Sequence, residues 1–161
     1  MFPDIRPING LIVVACALLL AIALYMEHVM GLIPCPLCMT QRVFVLLVGV
    51  FALLALVHHP RGWGRRVYAG FGLLAALIGG GFSSRQLWLQ SLPPERVPAC
   101  GPDLYYMFDV FPFMETLKVM LTGDGNCAEV SWTFLGISIP GWTLVAFAGL
   151  AALNIWQLVR R

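Results

Sequence analysis

Two cysteines three positions apart, Cys35 and Cys38, are followed four positions later by Arg42. A Cys-x-x-Cys pair closes a small disulfide ring whose thiolate form is readily stabilised. Directly after Arg42 an uninterrupted apolar run extends from Val43 to Val57. The pair therefore sits where a water-facing loop enters a membrane helix. Placed there, it could pass electrons between soluble thiols and a carrier dissolved in lipid. Arg42 lies one helical turn past Cys38, on the same face. Its fixed charge would stabilise a Cys38 thiolate and an anionic oxygen of such a carrier. Alone, Arg42 would read as a snorkelling anchor at a helix end; beside Cys38 the redox role is preferred.

Three other cysteines are present, Cys16, Cys100 and Cys127. Cys16 lies inside an apolar run and reads as a small buried hydrophobe. The other four admit three pairings. As static staples, a Cys100–Cys127 bridge would stabilise by roughly 3–4 kcal/mol in the chain-entropy model. A Cys35–Cys38 ring would restrict almost no chain. A zinc site is disfavoured, because Cys100 and Cys127 do not form a second closely spaced pair. Haem attachment is disfavoured because Met39, not His, follows Cys38. Redox exchange remains, with two disulfides in series and a bilayer quinone as the final acceptor.

The rest of the chain must hold these groups in a membrane. Of its 161 residues 60% are hydrophobic and 11% charged, with mean hydropathy +0.84. Soluble domains are nearer half apolar and a quarter charged. A single integral membrane domain over residues 1–161 is expected, its apolar surface covered by the lipid bilayer. No basic run suggests nucleic acid. Four spans are expected, at about 8–26, 43–58, 67–90 and 142–159. The first is long for a cleaved signal sequence and is read as a span. Gly79-Gly80-Gly81 suits close approach of a neighbouring helix. The loops at about 27–42 and 91–141 contain the four outer cysteines. The longer loop is too long for an idle connector. Within it, the stretch from Phe113 to Leu121 reads as a short helix, either lying at the membrane interface or packed on the bundle. The fold class is thus all-α: an antiparallel bundle of four transmembrane helices with a long periplasmic loop. Asn154 and Gln157 read as hydrogen-bonding residues inside the bundle.

Charge sets the orientation. Arg6, Arg61, Arg65, Arg66, Arg160 and Arg161 fall at the two termini and the link between spans two and three. All acids except Asp4 fall in the other two loops. Basic residues mark the cytoplasmic side. Both termini are therefore expected in the cytoplasm. Cys35, Cys38, Cys100 and Cys127 would face the periplasm, where disulfides persist.

These motifs resemble the DsbB-type bacterial thiol:quinone oxidoreductases of the inner membrane. The resemblance rests on His28-Val29-Met30 ahead of Pro34-Cys35-x-x-Cys38, then Arg42. It resumes at Cys100, Gly123-Asp124 and Cys127-Ala128-Glu129, and continues through Trp132, Phe134-Leu135-Gly136 and Pro140-x-Trp142. It covers essentially the whole chain. It implies that Cys100 forms the mixed disulfide with a DsbA-like periplasmic thiol oxidase and that Cys127 is its mate. It further implies that Cys35 receives electrons from the loop, and that Cys38 meets a membrane quinone (ubiquinone or menaquinone) whose oxygen Arg42 holds. Some members carry an acid where Gln41 stands, and members commonly place a histidine late in the third span. Arg85-Gln86 occupies that region here, so Arg85 and Gln86 join Arg42 as cofactor-binding candidates. No metal is expected.

Two rivals make different predictions. A vitamin-K-epoxide-reductase-like enzyme would carry its catalytic pair at the start of the last span. A membrane scaffold or transporter with structural disulfides would not reduce quinone at all.

Overall fold

A computed structural model describes residues 6–60, 62–102 and 104–159, with the side chains of Leu104 and Tyr105 excepted. Asp4, Arg61, Asp103, Arg160 and Arg161, which the charge argument uses, lie outside the described residues. Four helices are long and apolar enough to cross a membrane: α1 (Arg6–His28), α2 (Pro36–His58), α3 (Trp63–Gln90) and α6 (Ile139–Val159). Between α3 and α6 the chain forms two short helices, α4 (Leu104–Val110) and α5 (Phe113–Thr122), and a hairpin, β1 (Thr133–Phe134) with β2 (Ile137–Ser138). Single 3-10 turns at Pro94–Arg96 and Gly125–Ala128 precede α4 and follow α5.

In the bundle α3 packs on both α2 and α6, and α1 packs on α2. Small residues let α3 and α6 approach closely. A Cβ at Gly79 would collide with the Phe147 ring, and one at Gly72 would lie 2.5 Å from Asn154 Oδ1. The expected use of the glycine triplet therefore falls on its first member, since nothing lies within 4 Å of a Cβ at Gly81. Phe147, Ile12, Val48 and Ala76 form the centre of the buried core. Cys16 is buried among them, facing Gly49. Buried toward the end of the bundle where α1 starts and α6 finishes, Gln157 Nε2 donates to Asn9 Oδ1 at 3.0 Å and Asn154 Nδ2 to the Leu150 carbonyl at 2.8 Å. Polar groups in such a site must find partners within the protein.

Helix α2 begins at Pro36, seven residues before the expected start of the second span. Proline at the first helical position loses no hydrogen bond. Cys35 is the N-cap, with extended backbone (φ −72°, ψ 162°), and its sulfur accepts the Cys38 N–H at 3.3 Å. The polar residues Thr40, Gln41 and Arg42, which made this stretch look like loop, find partners inside the protein. Helices α1, α3 and α6 also start earlier than expected.

The short helix of the long loop forms as α5, with Phe113 and Met114 exposed along it. Thr40 Oγ1 donates to the Met120 carbonyl at 2.8 Å, tying α5 to α2. Thr116 Oγ1 donates to the Met107 carbonyl at 3.2 Å, tying α5 to α4.

Candidate active site

The cysteine pair occupies the head of α2. Cys35 Sγ and Cys38 Sγ are free thiols 2.9 Å apart, less than 1 Å longer than an S–S bond of about 2.05 Å. Their spacing follows from the N-cap geometry: one helical turn returns position 38 beneath position 35.

Two residues flank the pair. Gln86 of α3 is buried, and its Nε2 donates to Cys35 Sγ at 3.2 Å and to Cys38 Sγ at 3.3 Å. Its Oε1 accepts from Gln41 Nε2 at 2.7 Å. Arg42 is pinned to α1: it forms an ion pair with Glu27, and its Nη2 donates to the Ala23 carbonyl at 3.1 Å. Its Nη1 also lies 3.7 Å from Met39 Sδ.

Arg85 is placed differently. Its Nε donates to the Thr122 carbonyl at 2.8 Å, and the side chain is exposed at the end of α5. Consecutive helical positions point about 100° apart, so Arg85 and Gln86 cannot both face the bundle interior. Arg85, expected beside the cofactor, is not among the residues that line the cavity next to the sulfur pair. It fastens the loop by holding a helix C-terminal carbonyl.

The loop cysteines approach from the other side. Cys127 is fully buried in the turn after α5, against Leu37 and Leu89, with Cys35 packed on the same cluster. The hydrogen bond from Cys35 pulls the Cys127 thiol below its ordinary value, and burial opposes the shift. The Cys35 thiol is pushed well above its ordinary value, first by its hydrogen bond to Cys127, then by that to Cys38 and by burial. Both shifts come first from one contact, in which Cys35 donates and Cys127 accepts.

Cys100 is exposed. Its segment is clasped to the Cys127 turn: Gly125 N–H donates to the Ala99 carbonyl at 3.2 Å, and Asn126 Nδ2 to the Gly101 carbonyl at 3.1 Å. Glycine is required at 125, where a Cβ would lie 2.9 Å from the Cys100 nitrogen and 3.0 Å from its sulfur.

A cavity of about 930 Å³ lies beside the pair. Cys35, Cys38, Gln41, Arg42 and Gln86 line its polar part. Its apolar walls come from α1 (Leu20, Ala23, Met26) and α6 (Val145, Ala146), two helices that barely touch each other. The β1–β2 hairpin forms another wall. Trp132 and Phe134 stack there with ring centres 5.9 Å apart, and Trp142 Nε1 donates to the Phe134 carbonyl at 3.1 Å. Ser138 Oγ, donating to Gln90 Oε1 at 2.9 Å, fastens the hairpin to α3. Size and lining suit a flat apolar ring with polar oxygens. Among the described residues no three His, Cys, Asp or Glu side chains are grouped as a metal ion would need.

Glu27 and the hydrogen bond of Gln41 to Gln86 escaped the sequence reading. Glu27 did leave a signal: it is the only acid between Arg6 and Arg42, the two arginines that bracket the first span and its loop. Gln41 left none, because its value depends on a partner 45 positions away.

Four membrane-crossing helices, a sulfur pair at the head of one and an apolar cavity beside it define a membrane-embedded thiol–disulfide oxidoreductase. The family model described as disulfide bond formation protein DsbB matches residues 5–157. The chain belongs to the DsbB family, whose members are disulfide-generating enzymes that work with quinones. It is 52% identical to disulfide bond formation protein B of Saccharophagus degradans over 99% of this chain and 96% of that one. It is 54% identical to the protein of the same description from Nitrosococcus oceani (90% and 86% covered) and to that from Marinobacter nauticus (97% and 93%).

Proposed function

We propose that this chain reoxidises a DsbA-like periplasmic dithiol protein and passes the electrons to a bilayer quinone, ubiquinone or menaquinone. The observation that carries the reading is the continuity of sulfur from loop to cavity: Cys100 exposed, Cys127 buried against Cys35, and Cys38 on the cavity wall. A thiolate of the reduced partner attacks the Cys100–Cys127 disulfide at Cys100, releasing Cys127 as a thiolate. The partner's second thiolate then resolves the mixed disulfide and leaves both loop sulfurs reduced. Cys127 attacks the Cys35–Cys38 disulfide at Cys35, releasing Cys38 as a thiolate, and Cys100 then attacks the Cys127–Cys35 bridge, re-forming Cys100–Cys127 and freeing Cys35. A bound quinone supplies a two-electron, two-proton acceptor. This chain's contribution there is Arg42, held by Glu27 and the Ala23 carbonyl, as a fixed positive donor at the cavity, and Gln86 as a neutral one. Both termini lie in the cytoplasm and the cysteines face the periplasm, supported by the basic residues of the inner loops.

The test combines purified protein, a reduced DsbA-like donor and a short-chain quinone, with quinone absorbance followed over time. Loss of the oxidised-quinone band together with oxidation of the donor is expected. Cys38→Ser should still trap the donor on Cys100 yet leave the quinone oxidised. Normal turnover by that variant would remove Cys38 from the pathway.

A further inference from the structure

We propose that Gln41 is a positioning residue for the inner cysteine pair: by donating to Gln86 it holds the Gln86 amide with its NH2 group on both sulfurs, and so raises the redox potential of Cys35–Cys38. The two glutamines come from different helices and each is only 3% exposed. An amide is a two-ended group, donor at nitrogen and acceptor at oxygen. Rotated by half a turn, Gln86 would present its oxygen to the sulfurs. That orientation would accept an S–H proton and repel a thiolate. The Gln41 Nε2 to Gln86 Oε1 bond, at 2.7 Å the shortest in the group, accompanies the other orientation, in which Gln86 Oε1 keeps only a long 3.6 Å contact with Cys38 Sγ. Gln86 Nε2 then lies 3.2 Å from Cys35 Sγ and 3.3 Å from Cys38 Sγ. In low dielectric a held donor of this kind is stronger than in water, and a broken one costs more.

The redox consequence follows from what each state offers the donor. Reducing the Cys35–Cys38 disulfide breaks one S–S bond with two electrons, supplied by a dithiol that becomes a disulfide. The two freed sulfurs take up one or two protons. A thiolate accepts a hydrogen bond from N–H far better than a disulfide sulfur does. The donor therefore stabilises the reduced pair relative to the disulfide. A couple with a stabilised reduced form is the stronger oxidant. Gln86 touches the reacting atoms; Gln41 acts only through Gln86.

The inference rests on the reading of Cys35–Cys38 as redox-active, and its experiment needs no quinone. The full chain carrying Cys100→Ser and Cys127→Ser is placed in lipid nanodiscs and equilibrated with glutathione buffers. The state of the inner pair is read by maleimide gel shift. Gln41→Met, near-isosteric and unable to donate, is expected to move the equilibrium about tenfold toward the disulfide, which is ~30 mV for a two-electron couple. Gln86→Leu should move it at least as far, and Gln41→Met should add nothing in the Gln86→Leu background. Gln41→Leu repeats the measurement with a second apolar side chain. A potential within twofold of the parent in both Gln41 variants would overturn the proposal. So would an equal shift with and without Gln86, which would mark Gln41 as a packing residue. A failure of quinone reduction would count against the proposed electron acceptor and leave this potential shift standing.

Discussion

Arg42 and Cys127 illustrate how much a single side chain's role depends on what holds it. The i, i+4 spacing of Cys38 and Arg42 was legible, because it needs only a helix. That Arg42 is anchored to α1 by Glu27 and the Ala23 carbonyl was not, because those contacts span 15 and 19 positions. The anchoring fixes the guanidinium at the cavity, where it can hold a developing negative charge. Hydrogen bonds to charged groups contribute roughly 1.5–3 kcal/mol, or about 10- to 100-fold in affinity. Arg42→His is therefore expected to raise the apparent KM for quinone about tenfold or more, with the rate of mixed-disulfide formation at Cys100 nearly unchanged. Steady-state kinetics with quinone and donor varied separately measures both; an unchanged quinone KM would return Arg42 to a helix anchor. Cys127 carries a second expectation. Its thiol is held below the ordinary cysteine value chiefly by the hydrogen bond from Cys35. A depressed value means that the thiolate persists to lower pH than in a free thiol. Cys35→Ala removes the donor, so the Cys127 midpoint should rise and its thiolate fraction near neutral pH should fall. Cys35→Ser, which can still donate, should restore part of the shift. The pH titration of a 13C-cysteine-labelled chain reads the midpoint directly.

At the scale of elements, the four long helices were legible from hydropathy, and their starts were not. The start of α2 shows why. Thr40, Gln41 and Arg42 are polar, and a hydropathy reading assigns polar residues to water. Inside the protein they meet Met120, Gln86 and Ala23 instead, so the helix continues through them to Pro36. The hairpin escaped for a different reason. Its two-residue turn, Leu135-Gly136, has φ of +53° and +78°, the pattern of a type I′ turn, which usually carries Asn or Gly first. Leucine there sends no turn signal. The glycine triplet of α3 yields a prediction that separates its members. At Gly79 a larger side chain must displace the Phe147 ring, and overpacking of this kind costs about 1–3 kcal/mol or more. Gly79→Leu should therefore lower the thermal midpoint in detergent by several degrees. Gly81→Ala meets open space and should hold or raise it, because alanine favours the helix by ~1 kcal/mol. Equal effects at both positions would mean that α3 and α6 are not in close contact there.

For the molecule as a whole, hydropathy makes four spans legible and charge supplies an expected orientation, but neither says anything about where the bundle is open. The opening arises because α1 leans on α2, α6 leans on α3, and the two outer helices hardly meet. The gap between them is walled by Ala23 and Met26 on one side and Val145 and Ala146 on the other, and it ends at Cys38 and Arg42. A ligand dissolved in lipid could reach the sulfur pair through this gap without crossing the polar loop, while a soluble dithiol meets Cys100 on the loop. The two half-reactions would then be spatially separate and should respond to separate substitutions. Ala146→Trp enlarges a side chain of α6 that lines the gap and leaves every cysteine, glutamine and arginine of the site unsubstituted. It is expected to raise the quinone KM at least tenfold, and to leave both the capture of a reduced DsbA-like donor on Cys100 and the glutathione potential of Cys35–Cys38 as they are. Stopped-flow measurement of the first half-reaction and steady-state measurement of the second distinguish the cases. If donor capture slows as well, the indole has distorted the bundle; if quinone kinetics stay unchanged, the acceptor reaches Cys38 by another route and the gap between α1 and α6 is not its path.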